Sequence, residues 1–408
     1  MMVLRILGGI LLAVVVAVTA AAAWFFRPWS DYSPAEIQRL SDPARYTDTF
    51  QTMDSIFPYR TIEATEPDSL EGASQPLDVS YEWGGETRTL EQYLDESRSL
   101  ALVVLRDGEL VHERYMNGAN AGTRLTSWSV AKSFVATMIA MALEEGRIGS
   151  LDQLAQEFAP QYAGSPMGET SLRHLLMMSA GVDFNEDYSG PDSDIRPLFF
   201  NTFILGRSVD EQIAGIERNR EPGQDLHYTS PNTHVLGAVL RGIYGENLAA
   251  ITQQEIWTPL HMSSDAYWSQ NIEGDRAEAI GYCCLNATAR DYARFGQFYL
   301  QDGIWDGERL LPEGWVEMAT TPNAPFQEPN ETIPLRGYGL HWWMPENYDG
   351  EYFAAGVYGQ YIWVDERRGV VIARFAGDPD WGARTGETLT ALRAIAETVS
   401  PLAERGDE

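Results

Sequence analysis

Strand-forming runs lie near the two ends of this chain and helical runs lie between them, and that split limits the fold more than any other feature. Leu100 to Leu105 is an unbroken apolar run, followed by Asp107-Gly108 and a second run from Leu110 to Met116. Two such runs around an Asp-Gly turn predict a β-hairpin. Strands return only late. Tyr338 to Trp343 alternates with glycine, and Gln360 to Val364 and Val370 to Phe375 flank Asp365-Glu366-Arg367-Arg368-Gly369 as a second hairpin. Between these ends the apolar spacing is mostly helical: Val130 to Leu143, Ser171 to Ser179, Asn232 to Ile243 and Asn286 to Leu300. An amphipathic run, Ala383 to Val399, closes the pattern. The simplest architecture is α/β (α+β): one antiparallel sheet flanked by helices, built from both ends, with a mostly helical domain inserted. On this reading 76–149 and 290–402 form the sheet domain and 150–289 the helical domain. Residues 30–75, polar with little periodicity, form a tether that partly wraps them, and the polar loop 185–197 has room to line a pocket.

Residues 1–29 differ in kind. Arg5 precedes an uncharged run from Ile6 to Phe26, closed by Arg27-Pro28-Trp29. That length spans a bilayer, and Trp24, Phe25, Phe26 and Trp29 suit its interface. The segment is expected to be an uncleaved anchor; the small residues Ala20 to Ala23 leave a cleavable signal, and so a secreted protein, as the alternative. The acidic bulk after it is placed outside the cytoplasm. The net charge of −30 argues against a nucleic-acid partner, whose phosphates need a basic surface. Two cysteines, Cys283-Cys284, are adjacent and too few for a four-ligand zinc site. They read as small buried residues, with a vicinal disulfide as the alternative in an oxidising compartment.

The chemistry concentrates in Ser127-Trp128-Ser129-Val130-Ala131-Lys132-Ser133-Phe134. Of 29 basic residues in the chain, Lys132 is the sole lysine. Guanidinium keeps its proton in proteins, whereas a buried ammonium can lose it. The one position that kept an amine is therefore a candidate for a neutral base. Ser129 and Lys132 stand at i and i+3, on one helix face. The hydroxyl then lies at the first turn, with the amine beneath it and its pKa lowered by burial. Tyr228 follows a Pro-Gly turn and precedes a helix. Beside a cation its phenol is placed to relay a proton. Phe353 to Gln360 leads into a strand, with Gly356 and Gly359 allowing close backbone approach. No G-x-S-x-G elbow is present. The six histidines (His112, His174, His227, His234, His261, His341) have no metal spacing; His174 and His341 read as structural.

Serine-x-x-lysine, tyrosine-x-serine and a small-x-glycine strand, in that order, resemble the serine β-lactamase and penicillin-binding superfamily. The likeness is to its class C-like branch, with its esterases and 6-aminohexanoate-dimer hydrolases. Leu175 to Gly181, Ile256-Trp257-Thr258-Pro259-Leu260 with Met262, and Ala287 to Gly296 extend it over roughly residues 85 to 400. The resemblance implies a β-lactamase/transpeptidase-like fold and a serine hydrolase acting on a small ester or amide, with no metal or cofactor. It implies Ser129 as acylated nucleophile, Lys132 as base and Tyr228 as proton shuttle. The oxyanion hole would be the N–H groups of Ser129 and Val357, and Ser230, Ala354 and Gly356 would meet substrate. One departure matters. The superfamily's third motif usually carries a lysine that attracts the substrate's carboxylate, and here that place is Ala354-Ala355-Gly356. A neutral or open-chain substrate is therefore expected. A true β-lactamase or D-Ala-D-Ala peptidase, and an idle binding protein of the same fold, are the alternatives.

Overall fold

The computed structural model describes residues 2–30, 32–188 and 190–402. Helix α1 (Met2–Phe26) stands at the N-terminus. Its stretch Arg5–Phe26 has a mean hydropathy of 2.6 in its most apolar window, and none of that window is buried against the rest of the chain. Among the described residues it is the one helix long and apolar enough to cross a membrane.

The two hairpins meet in one sheet. Its strands are β1 (Ser99–Arg106), β2 (Glu109–Tyr115), β3 (Arg336–Tyr338), β4 (Trp343–Pro345), β5 (Glu351–Gly356), β6 (Gln360–Asp365) and β7 (Val370–Ala376). The order is β3-β4-β5-β6-β7-β1-β2, with every pairing antiparallel. Leu105 stands opposite Val371 and Val103 opposite Ala373, which joins the two ends of the chain. The unbroken apolar run of β1 follows from its place inside the sheet, because alternate residues bury on opposite faces. Leu102 and Val104 join a cluster with Leu389, Leu392 and Ile395 of the C-terminal helix Thr385–Val399. Ala101, Val103 and Leu105 join the larger core on the other face.

That larger core holds the buried helix α2 (Ala131–Glu144), the helix α3 (Ser230–Tyr244) and α4 (Ala289–Leu300). Phe134 of α2 stacks on Phe295 of α4 at 3.7 Å, and Tyr292 of α4 stacks on Phe375 of β7 at 4.4 Å. Gly296 lets α4 lie close on the sheet: a Cβ there would fall 2.6 Å from Val371 and 2.8 Å from Ile362. The structure starts α4 later than the spacing predicts. Leu285–Ala287 is a strand, and the helix begins after Thr288, whose hydroxyl accepts from the Asp291 N–H and caps it.

Residues 34–62 are folded more tightly than a tether. Phe50, Met53, Ile56, Phe57 and Ile62 are buried in the core. Tyr59–Ile62 is an edge strand of a second small sheet, paired with Ala266–Ser269 and continued by Leu285–Ala287 and Leu125–Thr126. The elements are too short for a periodic signal, and their partners lie about 200 residues away in sequence.

Candidate active site

Ser129 sits in a single 3-10 turn, Trp128–Val130, immediately ahead of α2. Trp128 has φ +43°, an uncommon conformation for a bulky side chain. Such a residue costs about 1–3 kcal/mol and persists only where its surroundings hold it. Phe50 and Tyr358 supply that hold, with ring centroids 5.4 and 5.7 Å from the indole. The turn also packs against β5. A Cβ on Gly356 would lie 2.6 Å from the Ser127 carbonyl oxygen and 3.1 Å from the Ser129 nitrogen, so this approach needs glycine.

Lys132 is buried in the first turn of α2. Its Nζ lies 2.9 Å from Ser129 Oγ and 3.0 Å from the Tyr282 carbonyl oxygen, to which it donates. Burial lowers its pKa to about 8, against the opposing pull of the Glu186 carboxylate. A usable share of the amine is therefore neutral near physiological pH. The neutral form can accept the Ser129 proton over the existing 2.9 Å contact.

Tyr228 lies two residues before α3, with Lys132 Nζ 5.1 Å from its ring centre. Burial pushes its phenol above the ordinary tyrosine pKa, and the nearby Ser129 hydroxyl pulls it back. A phenol that keeps its proton can donate it to a departing group. Ser230 is placed differently from a free substrate contact. Its hydroxyl donates to Glu186 Oε1 at 2.5 Å and its N–H to Glu186 Oε2 at 3.0 Å, while Tyr188 donates to Oε1 at 2.9 Å. Burial raises the Glu186 pKa, and the charge of Lys132 together with the Ser230 bonds opposes it.

On β5 the side chain of Ala354 is buried in the larger core and presents nothing to a ligand. Position 354 contributes backbone. Among the described residues β4 meets β5 only through Trp343 opposite Phe353, and no strand pairs with that edge of β5 beyond this point. Val357 follows where β5 ends, one residue after the glycine that touches the Ser129 turn.

Cys283 and Cys284 are joined as a vicinal disulfide, which corrects the reading as two separate buried side chains. Cys284 has φ +74°, a turn that no local pattern announces. The bridge lies between Tyr282, whose carbonyl holds Lys132, and Leu285, whose carbonyl accepts the Ser127 N–H at 2.8 Å. His341 is buried, with Nδ1 donating to the Leu176 carbonyl at 2.9 Å and Nε2 accepting from the Thr233 hydroxyl at 2.8 Å. Burial holds it neutral, at a pKa of about 3.

Asp210, His234 and Glu278 bring ligand atoms within 4.8 Å of one another, the one such grouping among the described residues. The Asp210 carboxylate already accepts from His234, Arg241 and Tyr162, and Glu278 accepts from the N–H groups of Val209 and Asp210. A guanidinium within the cluster makes it an ion-pair network rather than a cation cage.

The structure brings Ser129 and Lys132 together as the spacing predicts, and sets the Tyr228 ring beside Lys132. Glu186, Tyr282 and Arg336, whose positive charge reaches Tyr228, are additions that sequence reasoning missed. The polar loop at 185–197 was the only trace of Glu186; nothing local marks the other two.

The profile of the family described as Beta-lactamase matches residues 87–397. The 6-aminohexanoate-dimer hydrolase of Paenarthrobacter ureafaciens is similar, with 30% identity over 322 residues, covering 75% of this chain and 81% of that protein. A Bacillus anthracis chain assigned as a 6-aminohexanoate-dimer hydrolase has a similar fold, with TM-score 0.78, 24% identity, and coverage of 88% of this chain and 96% of the other. EstCE1, a hydrolase with promiscuous acyltransferase activity, shares the fold at TM-score 0.58 and 16% identity, covering 76% of this chain and 96% of its own.

Proposed function

The chain belongs to the Beta-lactamase family and is a serine hydrolase, and from that premise we propose that it cleaves a small ester or amide through an acyl-enzyme on Ser129. The observation that carries this reading is the 2.9 Å contact between Ser129 Oγ and a buried, pKa-lowered Lys132. Neutral Lys132 takes the hydroxyl proton as Oγ bonds to the substrate carbonyl carbon. The N–H groups of Ser129 and Val357 receive the developing oxyanion, where one preorganised donor is typically worth about 2.7–4 kcal/mol. The carbon–leaving-group bond then breaks, and Tyr228 hands its proton to the leaving group while Lys132 restores it. Water attacks the acyl-enzyme by the reverse path and returns Ser129. The relative's name, 6-aminohexanoate-dimer hydrolase, supports a small organic substrate.

The helix Arg5–Phe26 supports an anchor that holds the hydrolase outside the cytoplasm. The full-length chain should stay with membranes through an alkaline carbonate wash. A shortened, freely soluble product would replace the anchor with a cleaved signal.

A fluorophosphonate should label the full-length protein once per chain, at Ser129. The Ser129→Ala variant should take no label. Labelling that persists in that variant would move the chemistry to another serine. Rapid turnover of penicillins, with esters and amides untouched, would favour a β-lactamase.

A further inference from the structure

We propose that the Cys283–Cys284 bridge is a positioning element for the general base: it locks the turn between Tyr282 and Leu285, keeps the Tyr282 carbonyl on Lys132 and so aims the amine at Ser129. The inference rests on the acyl-enzyme reading above and adds to that site a component outside the reacting groups.

Every carbonyl across this turn is spent. That of Tyr282 accepts from Lys132 Nζ at 3.0 Å. That of Cys283 accepts from Trp268 Nε1 at 3.0 Å, and that of Cys284 from the Ser269 N–H at 3.0 Å and Asn286 Nδ2 at 2.8 Å. That of Leu285 accepts from the Ser127 N–H at 2.8 Å and the Tyr292 hydroxyl at 3.0 Å. The two outer carbonyls thus grip the chain on either side of Ser129, at Lys132 and at Ser127. The bridge stands between them, with both cysteines buried.

A disulfide ordinarily stabilises by closing a long loop of the unfolded chain. A bridge between sequence neighbours closes no such loop, so its effect is local. It ties the single peptide unit between the two cysteines into a small ring. Cys284 has φ +74°, a region that residues with a Cβ seldom occupy. The ring holds that conformation, and with it the direction of the flanking carbonyls.

That direction matters for proton transfer. Charged Lys132 carries three N–H donors. Once neutral it keeps two, and a lone pair takes the place of the third. With one N–H on the Tyr282 carbonyl, rotation about Cε–Nζ is restrained and the lone pair can face Ser129 Oγ, 2.9 Å away. Among the described residues Lys132 Nζ has no hydrogen-bond partner besides these two. Without the carbonyl, the amine's remaining partner is the hydroxyl whose proton it must take. The bridge stays closed through the cycle, and no electron moves.

The test compares the full-length parent with two double variants, Cys283→Ala/Cys284→Ala and Cys283→Ala/Cys284→Gly. Fluorophosphonate labelling counts the functional chains, and kcat on the best ester is expressed per labelled chain. Alkylation of the denatured parent, read by intact mass, should find no free thiol; two free thiols would overturn the proposal. In Cys283→Ala/Cys284→Ala, kcat per labelled chain should fall by about tenfold to a hundredfold with KM little changed, because a misplacement of about 1 Å costs on the order of 10²-fold. Cys283→Ala/Cys284→Gly should fall between the two, since glycine admits the positive φ but nothing locks it. A bridge that serves stability alone would lower the melting temperature and the number of labelled chains while leaving kcat per labelled chain unchanged, and that result overturns the proposal. A raised KM at unchanged kcat overturns it too, by moving the bridge to substrate binding. If the first variant does not fold, the glycine variant decides: a parental kcat per labelled chain refutes the role, and a reduced one upholds it. In each of these cases a labelled parent leaves the hydrolase reading standing. A parent that takes no label brings that reading down, and this inference with it.

Discussion

Helix α3 serves two partly buried carboxylates, and they are held in opposite ways. In its first turn Ser230 gives its N–H and hydroxyl to Glu186. One turn later His234 Nε2 meets Asp210 at 3.0 Å, and Arg241 follows with a bond of 2.6 Å. Burial alone would raise the Asp210 pKa, yet His234 and Arg241 hold it far below the usual carboxylate range. Glu186 receives only neutral donors directly, with Lys132 acting on it through space, and burial keeps its pKa raised. A carboxylate saturated by an imidazole and a guanidinium is a structural brace. One held by hydroxyls and an amide stays responsive to the charge beside it. The same contrast separates the buried cations. Arg374 is fully buried on β7 and spends its donors on Ser99, Gly359 and Ser97, whereas Lys132 contacts the Ser129 hydroxyl.

The strongest challenge to this division is Lys132→Arg. This fold already accommodates a buried guanidinium at Arg374, so the variant is expected to fold, as circular dichroism would verify. General-base assistance is worth about 10²–10⁴-fold, and kcat/KM on the best ester should fall within that range. A folded variant within about threefold of the parent would place Lys132 with Arg374 among structural cations. Asp210→Ala tests the other side. Removing one partner of a buried ion network costs about 3–5 kcal/mol, so the melting temperature should drop by on the order of 10 °C. Ser129 should still take a fluorophosphonate below that temperature. Loss of labelling in a folded variant would erase the distinction between brace and site.

Titration sharpens it further. His341 is neutral in the fold with a pKa of about 3, below the unfolded value near 6.5. The stability it contributes is complete above about pH 6.5 and is lost as pH falls toward 3, by about 1.4 kcal/mol per pH unit. Urea unfolding between pH 7 and 4 should follow that slope, and His341→Asn should flatten it. The smallest effect is expected from Glu186→Gln. The Glu186 charge raises the Lys132 pKa, so removing it should move the ascending limb of the pH–rate profile to lower pH. A limb that stays in place would show that Glu186 only anchors Ser230.

Much of this molecule is legible residue by residue. Alternation and turn chemistry locate both hairpins, and helical spacing locates α2 and α3, because those signals act between neighbours in the chain. The Ser129–Lys132 contact was legible for the same reason, since a separation of three residues on a helix is itself a contact. Residues 34–62 were not, because strands and turns of four residues carry no period to read.

What the sequence determined by itself, then, is local. It set an antiparallel sheet supplied from both ends, a Ser129–Lys132 pair on one helical turn, and a single amine among guanidiniums. Tertiary structure alone decided the surroundings that give the pair its chemistry. It brought the Tyr282 carbonyl to Lys132 across 150 residues and Glu186 to Ser230 across 44. It also closed the Cys283–Cys284 bridge and set the Arg336 guanidinium over the Trp343 ring. Periodicity constrains only which face a residue presents. Which group meets that face depends on how the sheet and helices pack, and burial at that meeting is what lowers the Lys132 pKa.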